Sequence, residues 1–345
     1  MGLREFRQAL GRRRFGNFIE HRTCWMRVRL ARDPSWVVQR WDGDGGLREA
    51  KRIAVFVHYD DKGLVHPYVL FYLERLREAG YSILFVTNSD QLLPAAAVGV
   101  LRSCCGLILR RRNRGYDFGA YKDALREIPD LAALDSLILA NDSVYGPFHD
   151  LGDILRRADP NQADIWGVTD NFEHHYHLQS YFLLLHRPAL AATEFQRFWK
   201  DVCYTQSKEL VVHHHEIGFS RRMLAAGLQM EALYPYRMVA MDLLEDLGCR
   251  ALDNPDWAAR LPQRDYLKWL YKTLMAGVPL NPSHFFWEPL LRRHGYPFLK
   301  RELLTRNPCN VPLTQYWESA VRQVSRYDTR LISRHLQHVL HNRCI

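Results

Sequence analysis

The sequence lacks most of the features that would assign it quickly. It holds no uninterrupted apolar run of about 18 residues, so a membrane-spanning helix is not expected. Residues 1–21, MGLREFRQALGRRRFGNFIEH, carry charge throughout and no apolar centre, which argues against a secretory leader. Phe6 stands where a myristoylation signal at Gly2 wants Ser or Thr. The 7 cysteines form no CxxC pair and leave one over, which fits a reducing compartment better than a disulfide scaffold. No GxGxxG follows the first apolar strand, and neither GxxxxGK[ST] nor GxSxG occurs. Those absences set aside the dinucleotide fingerprint, the P-loop and the hydrolase nucleophile elbow. A cytoplasmic protein is the expectation.

Acidic charge is scarce at one end. Arg4, Arg7, Arg12, Arg13, Arg14, Arg22, Arg27, Arg29 and Arg32 face only Glu5 and Glu20, within a chain whose net charge is +9. Leu3, Phe6 and Leu10 recur between them at helical spacing. A basic amphipathic segment suits an anionic surface, either membrane headgroups or a polyanion, and equally a solvated helix docked on the body. A peripheral place on the inner face of the cytoplasmic membrane follows from the first alternative. Nucleic acid is not expected as a partner, because no zinc-finger spacing or aromatic RNA-binding motif accompanies the charge.

The rest of the chain, 47% apolar overall, alternates between strand and helix. The turn-rich DGDGG at 42–46 separates a basic arm (1–50) from a core (51–248), and a mostly helical region (249–345) follows. RIAVFVHYD (52–60), YSILFVTNS (81–89), GLILRR (106–111), DSLILAND (135–142), ADIWGVTDN (163–171) and LQSYFLLLHR (178–187) read as strands. Helices at 66–80, 92–101, 117–128, 151–158, 189–202 and 216–227 fall between or after them. Continuous apolar strands separated by helices predict an α/β fold with a mainly parallel sheet covered on both faces.

Ligands in such sheets bind beyond the carboxyl ends of the strands. That is where the polar groups cluster: His58, Tyr59 and Asp60, then Thr87-Asn88, Asn113, Asn141-Asp142 and Thr169-Asp170-Asn171. LILANDSVYGPF (137–148) is the sharpest case, an apolar strand running straight into a carboxylate. A buried charge is costly unless paired or bound to a cation, so Asp142 needs a partner or a task. In NRGYDFGAYKDAL (113–125), Gly115 and Gly119 would let the backbone approach a ligand, and Arg114 could meet phosphate charge. Asp117 is alternatively an ordinary helix cap. Glu216 opens HEIGFSRRMLAAG, either as a functional carboxylate or as a favourable charge near a helix N-terminus.

In order and spacing these motifs resemble a GT-A glycosyltransferase. RNRGYDFGAYKDAL, LILANDSVYGPF, DIWGVTDN, QSYFLLLHR, EIGFSRRMLAAG and NPSHFFWEPLLRRHGYPFLKRELLTRNP more closely resemble the rhamnan synthesis protein F family of bacterial polysaccharide biosynthesis, over about residues 51–310. The resemblance implies a GT-A (Rossmann-like) nucleotide-sugar-binding core. It also implies transfer of a sugar, usually L-rhamnose from dTDP-L-rhamnose, to a cell-surface polysaccharide or lipopolysaccharide acceptor, with inversion. Such transfer needs a base at the acceptor hydroxyl and charge stabilisation at the departing diphosphate. On this reading Glu216 is the base, with Arg222 matching the arginine of the same motif. His58, Tyr59 and Asp60 meet the base and ribose, and Asn113, Arg114, Gly115, Asp117 and Asn141 complete the donor site. Asp142 holds a divalent cation (Mg2+ or Mn2+) or contacts the ribose. Asn141 and Ser143 in place of flanking carboxylates weaken such a cation site, so Arg114, Lys300 and Arg301 are the alternative neutralisers of the diphosphate.

His213, His214 and His215, adjacent on an extended chain, would point to alternate faces and so make a poor zinc site. They, with His174, His175 and His177, are expected as polar loop residues. Trp257, Trp269 and Trp287 stack on sugars, sit at a lipid interface or pack helices against the core. The acceptor is expected to be a glycan, free or lipid-linked. Two other classes stay open: a non-catalytic glycan- or nucleotide-binding module on the same fold, and a nucleotide-sugar hydrolase.

Overall fold

Apolar strands that bury both faces need neighbours on both edges, and the inner strands of this protein have them. In the computed structural model, which describes residue 26, residues 35–253 and residues 264–341, the chain divides into two units. The arginines from Arg4 to Arg32 in the basic arm, and Trp257, lie outside the described residues.

The first unit comprises Met1–Val65, Gly80–Asn141 and Leu184–Gln229. Its strands are β1 (Val37–Asp42), β2 (Arg52–His58), β3 (Ser82–Thr87), β4 (Leu107–Arg111) and β5 (Ser136–Asn141), ordered β1-β4-β3-β2-β5. Pairings β2–β3, β2–β5 and β3–β4 are parallel, and β1 closes the edge antiparallel to β4. Ala54, Val55 and Phe56 of β2, Leu84 and Phe85 of β3, and Ile138 and Leu139 of β5 have no exposure, as expected of parallel strands covered on both faces. Only β1 alternates half-buried and exposed positions, the pattern of an edge strand with one wet face. It falls inside the segment read as the basic arm, so the sheet begins before residue 50.

The second unit comprises His66–Ala79, Asp142–Leu183 and Met230–Ile345. Here β6 is Val144–Tyr145, β7 is Ile165–Asn171 and β8 is His177–Leu178. The chain then enters β9 (Phe182–His186), which carries it back into the first unit, and β10 (Met230–Tyr234) and β11 (Leu299–Lys300) follow. Strand β10 lies parallel to β7, β8 antiparallel to β7, and β11 antiparallel to β6.

Three expectations need correcting. Residues 178–187 are two strands rather than one. The break comes where Gln179 and Tyr181 turn inward, their side chains 2.7 Å from the Thr169 hydroxyl. Residues 189–202 lie in two helices, Arg187–Ala191 and Thr193–Asp201, separated by an extended Ala192. The histidine run is not extended at all: Val211–Glu216 is a π-helical turn leading from a short helix at Lys208–Leu210 into Ile217–Ala225. The C-terminal region is mostly helical, with Trp317–Val324 and Arg330–His341 broken apart at an extended Ser325.

Candidate functional site

The strand ends of the first unit are polar, but most of their hydrogen-bonding capacity is spent inside the protein. His58 is buried, its Nδ1 is 3.1 Å from Thr87 Oγ1, and its ring stacks on Phe85 with centroids 5.4 Å apart. Asp60 is also buried, and one of its oxygens accepts the backbone N–H groups of Lys62 (2.9 Å) and Leu64 (2.8 Å). That makes Asp60 the clasp of a turn. Tyr59 alone of the three reaches solvent, at 42% exposure. Partial burial and the carboxylates of Asp61, Asp90 and Asp60 push its phenol pKa up.

Beneath the first motif lies a network that sequence reasoning did not find. The fully buried Arg111 guanidinium donates to Asp123 Oδ2 (2.8 Å), Asn88 Oδ1 (2.7 Å) and the Arg114 carbonyl (2.7 Å). The Tyr204 hydroxyl donates to the other Asp123 oxygen, and Gln206 Nε2 donates to the Asn113 carbonyl at 2.9 Å. Burial lowers the Arg111 pKa from its ordinary value, while Asp123 opposes that shift and keeps the ion pair. The network fixes the loop that carries Asn113 and Arg114. Arg114 itself is exposed, its guanidinium 5.6 Å from the Trp36 ring centroid.

The glycines of this motif serve the same loop. Gly115 has φ +80°, and a Cβ there would come within 3.1 Å of Tyr204. A Cβ on Gly119 would lie 2.3 Å from the Arg114 carbonyl oxygen. What approaches these glycines in the structure is the chain itself. Asn141 Nδ2 donates to Asp117 Oδ2 at 3.0 Å, so the end of β5 holds the first turn of the Tyr116–Leu125 helix. That contact brings Asn141, Asp117, Gly115, Arg114 and Asn113 into one neighbourhood.

Glu216 is partly exposed and ends the π-helical turn, a local geometry over-represented at functional sites. Arg222 binds Glu194 (2.5 Å) and Asp201 (2.9 Å) of the preceding helix. A cavity of about 400 Å³ is lined by His213, His214, His215, Arg221, Arg222 and Asp201 among others, and Glu216 is not part of its wall. His215 is buried and its Nε2 faces the Cys203 backbone N–H at 3.4 Å.

In the second unit the structure brings together residues far apart in sequence. Asp142, 5% exposed, accepts from Arg301 Nη1 at 2.8 Å, and the same nitrogen donates to the Tyr68 hydroxyl at 2.8 Å. Burial alone would lower the Arg301 pKa, but the Asp142 carboxylate, together with the Tyr68 and Tyr145 hydroxyls, more than offsets this and raises it. Lys300 Nζ is 3.4 Å from Ser143 Oγ and 4.4 Å from the Tyr181 ring centroid. The backbone closes the pairing: Arg301 N–H donates to the Ser143 carbonyl (2.9 Å), and Leu299 and Lys300 pair with Tyr145 and Val144. The carboxylate at the strand end therefore has a partner, and it is an arginine.

This set fits a divalent cation poorly. Such ions want several hard oxygen ligands. Here Asp142 is paired with a guanidinium, and Ser143 lies against the Lys300 ammonium. Among the described residues no group of three or more His, Cys, Asp or Glu side chains is placed to hold a metal. The sequence marked Arg301 as a charge for the diphosphate, not as the partner of Asp142. Tyr68 had no signal beyond its place in an amphipathic helix.

The remaining expectations divide. His174 and His175 are exposed, while His177 is buried with Nδ1 2.8 Å from the His175 carbonyl. Trp287 is buried and Trp269 is 43% exposed beside Phe285. Among the described residues no helix is long and apolar enough to cross a membrane.

Residues 83–245 match the model of the family described as Rhamnan synthesis protein F. The chain is 26% identical over 271 residues to Virulence protein VirA of Vibrio anguillarum, covering 76% of this chain and 82% of that protein. It is 29% identical over 187 residues to the uncharacterized protein y4gN of Sinorhizobium fredii, covering 53% of this chain and 48% of the relative. Among solved structures, the glycosyltransferase GlyE of Streptococcus pneumoniae TIGR4 aligns at 12% identity and a TM-score of 0.32, over 68% of this chain and 65% of that one. A TM-score that low leaves the fold to be argued from the chain's own topology.

Proposed function

We propose that this chain is a nucleotide-sugar-dependent glycosyltransferase with a GT-A-type core, acting in the synthesis of a bacterial surface polysaccharide or lipopolysaccharide. The observation that carries the reading is the Asp142–Arg301 pair with Lys300 beside Ser143, Asp142 and Ser143 lying within the residues that match the rhamnan synthesis protein F model. Two cations held next to the Asp142–Ser143 turn suit a diphosphate, whose leaving charge must be met as the glycosidic bond breaks. Asp142 orients Arg301 on this reading.

The donor is dTDP-L-rhamnose and the reaction inverts the anomeric carbon. The acceptor oxygen forms a bond to that carbon as the bond from carbon to phosphate oxygen breaks. The hydroxyl proton passes to Glu216, and the nucleoside diphosphate leaves with its charge met by Lys300 and Arg301. Tyr59, Asn113 and Arg114 are carried over from the family resemblance as donor-binding side chains. The acceptor is a glycan, free or lipid-linked, and the basic arm supports a peripheral place on an anionic membrane surface.

Calorimetric binding of dTDP, UDP and GDP, each with Mg2+ and again with EDTA, tests the donor assignment. Selective dTDP binding that survives EDTA is expected; binding of none of the three would remove the reading. A second reading, a binding module without turnover, is favoured by the single carboxylate of the Asn141-Asp142-Ser143 motif. Glu216→Gln separates the two. Loss of turnover with dTDP affinity retained is expected for the enzyme, whereas unchanged turnover would take Glu216 out of the mechanism.

A further inference from the structure

The C-terminal helix Arg330–His341 lies beyond the part of the chain that matches the family model, yet it reaches the Asp142 motif. His335 is 4% exposed, and its Nδ1 is 2.7 Å from the Tyr145 hydroxyl. Its ring also packs on Tyr68, with centroids 4.7 Å apart, and on His66, at 4.6 Å. Tyr68 and Tyr145 in turn meet edge to face at 5.1 Å. His335 thus touches both aromatic residues that flank the Asp142–Arg301 pair. One of them, Tyr145, sits two residues after Ser143 on the strand that pairs with Leu299. The other, Tyr68, holds the Arg301 guanidinium through its hydroxyl.

From this geometry we infer that His335 is a positioning residue for the Asp142–Arg301 site, and that the C-terminal helix is a working part of that site. The physical reason is that a long guanidinium has several rotamers, and one carboxylate does not fix it. The Tyr68 hydroxyl supplies the second contact, and Tyr68 is held in place by rings on either side. The Tyr145–His335 hydrogen bond fixes one of those rings and ties it to the helix. Without the bond, Tyr145 keeps its burial but loses its orientation, and the ring against Tyr68 is free to rotate. The effect on Arg301 is then transmitted across a single packed contact, where side-chain order is tightly coupled to its neighbours. Its functional consequence rests on the proposed role of Arg301 at the donor diphosphate.

Three variants test it: Tyr145→Phe, which removes only the hydroxyl, His335→Leu, and His335→Gln, which can restore a hydrogen bond to Tyr145. Two readouts are taken on the full-length protein. The first is the NMR signal of the Arg301 Nε–H, assigned by its loss in Arg301→Lys; the second is calorimetric affinity for dTDP. Expected are a shifted or broadened Arg301 signal in Tyr145→Phe and His335→Leu, return toward wild type in His335→Gln, and dTDP affinity following the same order with a loss of about tenfold. An Arg301 signal unchanged in both Tyr145→Phe and His335→Leu would overturn the positioning role, whatever the nucleotide result. If the signal responds but wild-type protein binds no dTDP, His335 stands as a positioning residue and the donor assignment fails instead.

Discussion

Removing Arg301 from beside Asp142 should be expensive, and the structure says roughly how expensive. The Asp142 side chain is 7% exposed and that of Arg301 23%. Taking away one member of a buried ion pair leaves an uncompensated charge, which costs about 3–5 kcal/mol. The residual exposure of Arg301 lets some water reach the vacated space, so Arg301→Met is expected near the lower end, about 3 kcal/mol. If that cost is stranded charge rather than lost packing, deleting the charge as well should recover it. Arg301→Met combined with Asp142→Leu is therefore expected to lie within about 1 kcal/mol of wild type, recovering about 2 kcal/mol of the Arg301→Met loss. Arg301→Lys should fall between, because one ammonium cannot reproduce the directed contacts of a guanidinium to Asp142 and Tyr68. The assay is urea denaturation of all four proteins at pH 7, with Asp142→Leu alone completing the cycle. A double variant no more stable than Arg301→Met would refute the account, since the cost would then lie in packing.

Two further perturbations probe other parts of the structure. Gly119→Ala would drive a methyl group to 2.3 Å from the Arg114 carbonyl, a backbone atom that cannot swing aside. A loss of about 1–3 kcal/mol in stability is expected, with faster hydrogen exchange at Arg114 and Gly115; an unchanged melting temperature would contradict it. Asp170 is buried in the second unit, and burial raises its pKa even though the Tyr236 backbone N–H donates to it at 2.6 Å. A carboxyl whose folded pKa is raised stabilises the fold while protonated, and that contribution is lost as pH rises through the folded value. Asp170→Asn does not titrate and can still accept from Tyr236. Its melting temperature relative to wild type should therefore climb as pH rises above the ordinary carboxylate range, and a flat difference between pH 4 and 8 would refute the burial argument.

Much of the fold was legible because burial on two faces leaves a plain mark. The runs Ile53–Val57, Ile83–Val86 and Leu137–Ala140 are uninterrupted apolar segments, and each became an inner strand. The edge strand Val37–Asp42 was missed because only alternate residues are even half-buried, so it leaves no apolar run. The π-helical turn at Val211–Glu216 was missed because no local propensity specifies an i→i+5 pattern; it follows from packing against the rest of the unit. At the site, the sequence identified a carboxylate that needed a partner but could not select Arg301, 159 residues away. The glycines of the first motif were recognised as positions of close approach. What approached them was beyond the sequence, since a ligand and the Tyr204 ring make the same demand for a missing Cβ.

The pairing of residues 142–148 with residues 297–301 has a consequence for anyone recombining this chain with its relatives. Beyond the strand contacts already described, the Phe148 N–H donates to the Pro297 carbonyl at 2.8 Å, and a Cβ on Gly146 would lie 2.3 Å from that same oxygen. The two segments are thus a lock and its key cut from one blank, although more than a hundred residues of chain separate them. A chimera that imports the first without the second inherits a turn shaped for a backbone that is no longer there. Crossover points should therefore be chosen so that both segments come from the same parent, with the helix at Arg330–His341 travelling alongside them.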